Sequence, residues 1–403
     1  MKSHKIAVHD YAGHTFQVQL SRWLAARGHQ VLHLYSADVE TPRGRLSPAA
    51  TDPAGFTVES VTTGRRLDKY ALVRRWLQER AYARVLAERI EAFAPDVVLS
   101  ANAPPAVQAR LAARLRTRRI PLVCWVQDIF TLGAAKLAES WPPPLRRAAL
   151  WALGRVEFGT MRRAAGLVAI SPDFLSILAR HGVRHPAATV IENWAPADEI
   201  RPDTKDNDWA RRHGLADCFC FLYSGTLGMK HNPGHLAELA RTFRDDPATK
   251  VVVVSQGLGR RWLEEVKAAE GLDRLILLDF QPFESLPQVL ASADVTVVLL
   301  EEFAGVLSVP SKVYSSFCAR RPLLAAMPAS NRAARLIEET GAGLCVPPQD
   351  GAAFVAAARR LRLDAALRHQ MAARQADHAA TAFDIELIGR RFLDVLDAAV
   401  TAG

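Results

Sequence analysis

The chain has few cysteines, no long apolar run and none of the glycine signatures of a nucleotide cofactor, and each absence excludes a class of protein. Five cysteines in 403 residues, odd in number and mostly set in apolar runs, read as buried reduced thiols of a cytoplasmic protein and not as a disulfide framework. Cys218 and Cys220 form a lone C-x-C with no second pair, so no zinc site is expected. No apolar run is long enough to span a bilayer. The N-terminus MKSHKIAVHDY enters a strand with neither an h-region nor a cleavage site, which reads as no signal peptide. G-x-G-x-x-G is missing, which counts against a nicotinamide oxidoreductase, and so is the G-K-[ST] ending of a Walker loop. No Asp-x-Asp of the kind that anchors a divalent ion is read, so no metal and no cofactor are expected. There is no short-period repeat and no low-complexity tract.

What is present is an ordinary globular composition, 49% apolar and 23% charged, with a formal net charge of +9. The positive balance favours an anionic partner without naming it. Short apolar runs alternate with helix-like stretches from KIAVHD to ATVIEN. After the polar, proline-bearing stretch NWAPADEIRPDTKDND, which reads as a linker, the pattern restarts at CFCFLYSG. Such alternation implies parallel sheets with right-handed crossovers, and two series in tandem imply two doubly wound domains. The expected division is 1–195, 209–380 and a final helical segment 381–403. Ligands are expected at the carboxyl ends of the strands, in a cleft between the domains.

Four strand-to-helix turns carry candidate chemistry. In HDYAGHTF, Gly13 permits a tight turn, with Asp10, Tyr11 and His14 as polar neighbours; the alternative is a plain connecting loop. In WVQDIF, Asp128 ends an apolar strand, where it can meet a substrate hydroxyl or a proton, or simply cap the next helix. In YSGTLGMKHNPG, Ser224, Gly225 and Lys230 combine exposed backbone N–H groups with a cation, which suits a phosphate. In VPSKVYSS, Pro310 stiffens the turn, Ser311 can cap the helix, and Lys312 adds charge beside the positive helix end. A helix N-terminus and a cation repel unless an anion lies between them, so a phosphate or diphosphate is the expected occupant; the alternative is a capped helix with an exposed lysine.

These turns, with VQD, VIENWAP, LPQVLASADVTVVLL and RLIEETGAGLCVPPQDG in the same order, resemble the retaining GT-B glycosyltransferases often called family 4. The similarity is to the branch, of the WbuB and colanic-acid type, that builds bacterial surface polysaccharides. It covers nearly the whole chain. The resemblance implies an α/β GT-B fold, two Rossmann-like domains facing a central cleft, and a UDP- or GDP-sugar donor held by the second. Lys230 falls where the family places its phosphate-binding lysine, and Gly13 where a glycine underlies the diphosphate or sugar. Asp128 falls near the family's polar residue at the reacting sugar, and His14 of the first turn stands with it as a catalytic candidate. Phe280 and Pro282 lie on the loop that holds the base. A Glu-x7-Glu pair, usual in the family, is absent: its members would fall at Leu307 and Ser315, and Glu301 or Glu302 stands upstream on the same loop as Ser308.

The resemblance also implies an acceptor that is a saccharide, often on polyprenyl diphosphate. The stretch 141–163 fits an anionic inner-membrane surface on its own account. Its helical wheel puts Leu145, Ala149, Ala152, Leu153 and Val156 on a core face and Trp151, Arg155, Phe158 and Arg162 on another, which suits either a membrane or a solvated face packed on a neighbouring loop; the basic stretches RTRR and LVRRW can add to the same patch. A peripheral place on the cytoplasmic side follows. No nucleic-acid motif accompanies the arginines. Two other readings stay open, an epimerase of the UDP-N-acetylglucosamine 2-epimerase kind and a catalytically silent binding subunit.

Overall fold

The structure, a computed structural model, describes residues 2–39, 43–64, 72–228, 230–306 and 309–402. It forms two compact units, Met1–Glu192 with Ile385–Gly403, and Asn193–Asp384.

The first unit runs β1 (Lys5–Asp10), α1 (Thr15–Ala26), β2 (Gln30–Ser36), β3 (Phe56–Val61), α2 (Leu72–Phe93), β4 (Val97–Ala101) and α3 (Pro105–Thr117). It continues with β5 (Leu122–Val126), α4 (Phe130–Leu137), α5 (Pro143–Arg162), β6 (Gly166–Ala169), α6 (Pro172–Arg180) and β7 (Ala188–Val190). All its strands are parallel, in the order β3-β2-β1-β4-β5-β6-β7. Because helices cover both faces, the central strands read as unbroken apolar runs: every residue of β4 and β5 is buried. The order reverses between β1 and β4, so the loops leaving those strands diverge and open a crevice at their carboxyl ends.

The second unit runs α7 (Asp208–Arg212), β8 (Phe219–Ser224), α8 (Gly234–Thr242), β9 (Thr249–Val254), α9 (Leu258–Glu270), β10 (Leu275–Leu278) and α10 (Leu286–Ala291). Then come β11 (Val295–Leu299), α11 (Lys312–Ala319), β12 (Leu323–Ala326), α12 (Arg332–Thr340), β13 (Gly343–Val346), α13 (Gly351–Leu363) and α14 (Ala365–Ala382). Its parallel order is β10-β9-β8-β11-β12-β13, with the reversal between β8 and β11. The last helix, α15 (Ile385–Ala402), belongs to the first unit and lies on α1 and on β4, β5 and β6. Phe392 meets Trp125 there at 4.5 Å between ring centroids. Gly389 approaches Trp23 so closely that a Cβ would sit 2.5 Å from the indole.

Three local readings change. The single helical stretch expected before MRRA is two helices, α4 and α5, because Pro142, Pro143 and Pro144 cannot continue a helix but can begin one. The stretch read as a linker is not merely polar chain: Trp194, Ala195 and Ile200 are buried in it, and just past it Trp209 is buried, its Nε1 donating to Gln281 Oε1 at 3.0 Å. The wheel of α5 was turned wrongly. Phe158 is buried and stacks on His181 at 4.5 Å, whereas Leu145, Ala152 and Val156 face solvent.

Candidate active site

The site residues fall into two groups, one in each unit, on loops at the carboxyl ends of the strands. In the first unit β1 delivers Asp10 fully buried at the foot of the turn. Its Oδ1 accepts from the N–H of Ala12 (3.2 Å) and Gly13 (2.9 Å), and its Oδ2 from that of His14 (2.5 Å). One carboxylate thereby satisfies the donors that open α1. Gly13 has φ +81°, and a Cβ there would lie 2.8 Å from Leu46 Cδ1, so the turn needs glycine. His14 Nδ1 lies 3.4 Å from Asp10 Oδ1 and the side chain is 28% exposed. Burial opposes its charge, but the hydrogen bond and charge of Asp10, with Asp128 beyond, outweigh that and raise its pKa. Burial likewise opposes the charge of Asp10, and His14 together with the Gly13 N–H overcomes it and lowers the carboxyl. Tyr11 does not project from the turn: it is buried with its ring edge-on to Tyr82 at 5.2 Å, while His9, neutral with a pKa lowered by burial to about 4, sits between Ser100 and Tyr82.

Asp128 does not cap α4. The helix begins after Ile129, and the N–H groups of Phe130 (2.7 Å) and Thr131 (2.8 Å) donate to Glu157, reaching in from α5. Thr131 Oγ1 donates to the same carboxylate. Glu157 is buried, and burial raises its pKa against these hydrogen bonds. Sequence reasoning passed over it, since a glutamate on a helix ordinarily faces water. Glu157→Ala strands two backbone donors and is expected to cost about 2–3 kcal/mol, read as a lower urea midpoint, with Glu157→Gln costing less because one acceptor remains. A second residue missed is Asn102, just after β4. Its backbone is left-handed (φ +52°), and its Oδ1 is buried without a hydrogen-bond partner.

In the second unit, β8 ends at Ser224, half-buried, and Gly225 follows with φ +126°. A Cβ on Gly225 would lie 2.6 Å from Lys312 Cε, so the Lys312 side chain lies across this glycine from the start of α11. The Nζ is 4.7 Å from the centre of the Tyr223 ring and 3.5 Å from Thr226 O. Among the described residues no carboxylate pairs with it, and burial lowers its pKa to about 8. Ser311 does not cap α11: its own backbone is helical (φ −61°, ψ −19°) and its hydroxyl accepts no cap bond, because an N-cap must be extended. Ser311 is exposed, Ser315 half-buried one turn on, and Ser308 lies outside the described residues, as does Leu307.

The loop after β8 is held by its neighbours. Gly225 N–H donates to Val254 O (2.9 Å), Gly259 N–H to Leu227 O (3.1 Å), and Glu301 N–H to Lys230 O (2.8 Å). His231 braces it from within, its Nδ1 accepting from Gly228 N–H at 3.2 Å. That bond assigns the proton to Nε2. Burial, and then the charges of Lys312 and Lys230, lower this imidazole to about 2, so it stays neutral. Phe280 is half-buried and Pro282 exposed on the loop after β10, which Arg260 and Asp279 join at 3.1 Å to the start of α9. Glu302 is exposed in a short 3-10 turn. Asp-x-Asp does occur once, as Asp206-Asn207-Asp208, which the sequence reading overlooked: Asn207 caps α7 and Arg211 pairs with both aspartates. Among the described residues no three His, Cys, Asp or Glu side chains gather as metal ligands.

Two doubly wound units, all of parallel strands, with a half-buried lysine over a glycine turn in the second, make an architecture of the GT-B type. Residues 13–194 match the family described as glycosyl transferase 4-like domain and residues 219–364 that described as glycosyl transferases group 1. The chain belongs to the GT-B glycosyltransferases of this family 4 type. It is 25% identical to a probable glycosyltransferase WbjE of Pseudomonas aeruginosa over 64% of either chain. It is 29% identical to an alpha-D-kanosaminyltransferase of Streptomyces kanamyceticus over 52% of this chain and 60% of that one. The chain thus spans less than two thirds of the length of these relatives. Among solved structures, Anabaena Alr3699/HepE in complex with UDP-glucose superimposes with a TM-score of 0.70 at 16% identity, covering 98% of this chain and 100% of that one.

Proposed function

We propose that this protein is a retaining glycosyltransferase that moves a sugar from a UDP- or GDP-sugar to a saccharide acceptor, carried on polyprenyl diphosphate, in bacterial surface-polysaccharide assembly. It works without a metal, at the cytoplasmic face of the membrane. The observation that carries the reading is Lys312, a half-buried cation with no carboxylate partner among the described residues, laid over Gly225 where the second sheet reverses. A partly desolvated charge is costly unless an opposite charge meets it, and a diphosphate supplies that charge.

In the reaction the bond from the anomeric carbon to the diphosphate oxygen breaks, and its electron pair stays on the diphosphate. Lys312 and Lys230 stabilise that developing charge. The acceptor oxygen bonds to the carbon on the same face and its proton passes to the departing diphosphate. His14 and Asp128 hold the hydroxyls of the reacting sugar, Asp10 fixing His14 in place. Phe280 and Pro282 border the base. That HepE was solved with UDP-glucose, and that both curated relatives are named as transferases, supports the donor class.

The test is calorimetry of the wild-type protein with UDP-, GDP- and ADP-sugars in the presence of a chelator. Saturable binding of one base is expected. No binding of any of them, with or without divalent ions, would overturn the reading.

A further inference from the structure

Among the described residues of the first unit, six of the seven large exposed apolar side chains stand on α2, α4 and α5, the seventh being Leu387 on α15. Leu137 ends α4; Leu145, Trp151 and Val156 stand out from α5; Trp76 and Leu77 stand out from α2. Trp151, at 66% exposed, is the extreme case for a side chain of that size. These helices lie on one layer, because α3 packs against both α2 and α5. Each returns from the carboxyl end of one strand to the start of the next. The first halves of α2 and α5, which hold Trp76, Leu77, Leu145 and Trp151, therefore lie at the strand carboxyl ends, the end that bears His14 and Asp128.

The charge on this side has one sign where it matters. α5 carries four arginines, at 146, 147, 155 and 162, and one acid, Glu157. Glu157 is turned inward and engaged by α4, so the outer face of α5 presents cations alone. The guanidinium of Arg155 lies 5.0 Å from the Trp151 ring centre, and on α2 that of Arg80 lies 4.5 Å from the Trp76 ring. The acids near α2 and α4 are answered locally, Glu79 by Arg75 and Glu139 by Lys136. An indole with a guanidinium stacked on it offers an apolar body and a cationic tip at the same depth. That combination matches the boundary between acyl chains and anionic headgroups.

We infer that the outer faces of α5, α4 and the start of α2 form a docking surface for an anionic phospholipid bilayer, with Trp151, Leu145 and Trp76 entering the interface and Arg147, Arg155 and Arg80 meeting the headgroups. The surface differs from the one read in the sequence: Phe158 is withdrawn into the core, while Leu145 and Val156 are added. The inference deepens the proposed function by naming where a lipid-carried acceptor is met, but binding is read without turnover.

The experiment is flotation of the full chain with vesicles of phosphatidylcholine, with and without phosphatidylglycerol, at low and high salt. Wild type is expected to float with the anionic vesicles and to be released by salt. Trp151→Ala with Leu145→Ser, and separately Arg147→Glu with Arg155→Glu, should each weaken partition by about tenfold or more. Both variants should bind the nucleotide-sugar in calorimetry as wild type does, which shows they are folded. Equal flotation with neutral vesicles, no flotation, or variants that float like wild type would each overturn the inference. So would a dimer that forms without lipid and is dissolved by the Trp151 variant, since a second copy would then be the occupant. Donor binding without vesicle binding leaves the transferase reading standing; the reverse leaves the surface standing.

Discussion

Lys312→Met lowers kcat/KM for the nucleotide-sugar by about 100-fold or more, the scale of losing one preorganised charge at a developing anion. The variant does not unfold more readily, because methionine fills a similar length and removes a half-buried cation that has no carboxylate partner among the described residues. The pH dependence gives a second signature. In the free protein Lys312 loses its proton at about 8, so donor affinity falls as pH rises through that value. Stability moves the opposite way. The folded pKa, about 8, lies below the ordinary 10.5, so between the two the unfolded chain holds more protons and stability climbs with pH. Calorimetry and chemical denaturation on the same buffers separate the trends. A Lys312→Met protein that binds donor as wild type does, with the same break near pH 8, would sink the role assigned to this lysine.

Asp10→Asn is expected to act on fold and chemistry together. The carboxylate accepts three backbone N–H bonds and faces His14; an amide has one oxygen to accept with and turns its own N–H groups toward donors. The cost is about 3 kcal/mol, read as a lower urea midpoint, with turnover falling at least about tenfold as His14 loses its anchor. Asp10 has a lowered pKa, so its contribution is present above the ordinary 3.8 and is lost as pH falls through the folded value. His14 has a raised pKa, so its contribution is complete below the ordinary 6.5 and is lost as pH rises through the folded value. The pair stabilises most between those limits. In the Asn variant the alkaline limb of the rate profile should move to lower pH, as nothing then holds the His14 proton. An unmoved limb would mean that Asp10 does no more than close the turn.

The strands could be read from the sequence because parallel strands covered on both faces are plain apolar runs: VVVV at 251–254 admits little else. The turns were legible for a related reason, since a glycine or a charge directly after such a run has few structural uses. What could not be read is pairing across distance. Lys312 and Gly225 are separate signals in the chain, and only folding shows that one lies on the other. Nor could the wheel of α5 be oriented. Apolar residues occur on both its sides, and the residue that decides the matter is Glu157, which a hydrophobicity argument sends outward. Ser311 failed as a cap because the rule concerns backbone conformation as much as residue type, and the chain is already helical there.

The docking of α15 has a consequence for the order of events during synthesis. Residues 385–402 lie on β4, β5 and β6, with Phe392 and Leu396 fully buried. The sheet they cover is built from the opening half of the chain, and the whole of residues 193–384 is made in between. When the ribosome has finished β7, that sheet has α1 on this side but still lacks the helix that lies against α1, and the Trp125 surface that Phe392 will cover stays open. The second unit can close while it waits. The first to be made is thus the last to be completed, and a chain released before α15 would carry a finished second unit and a first whose β4, β5 and β6 lack their α15 cover.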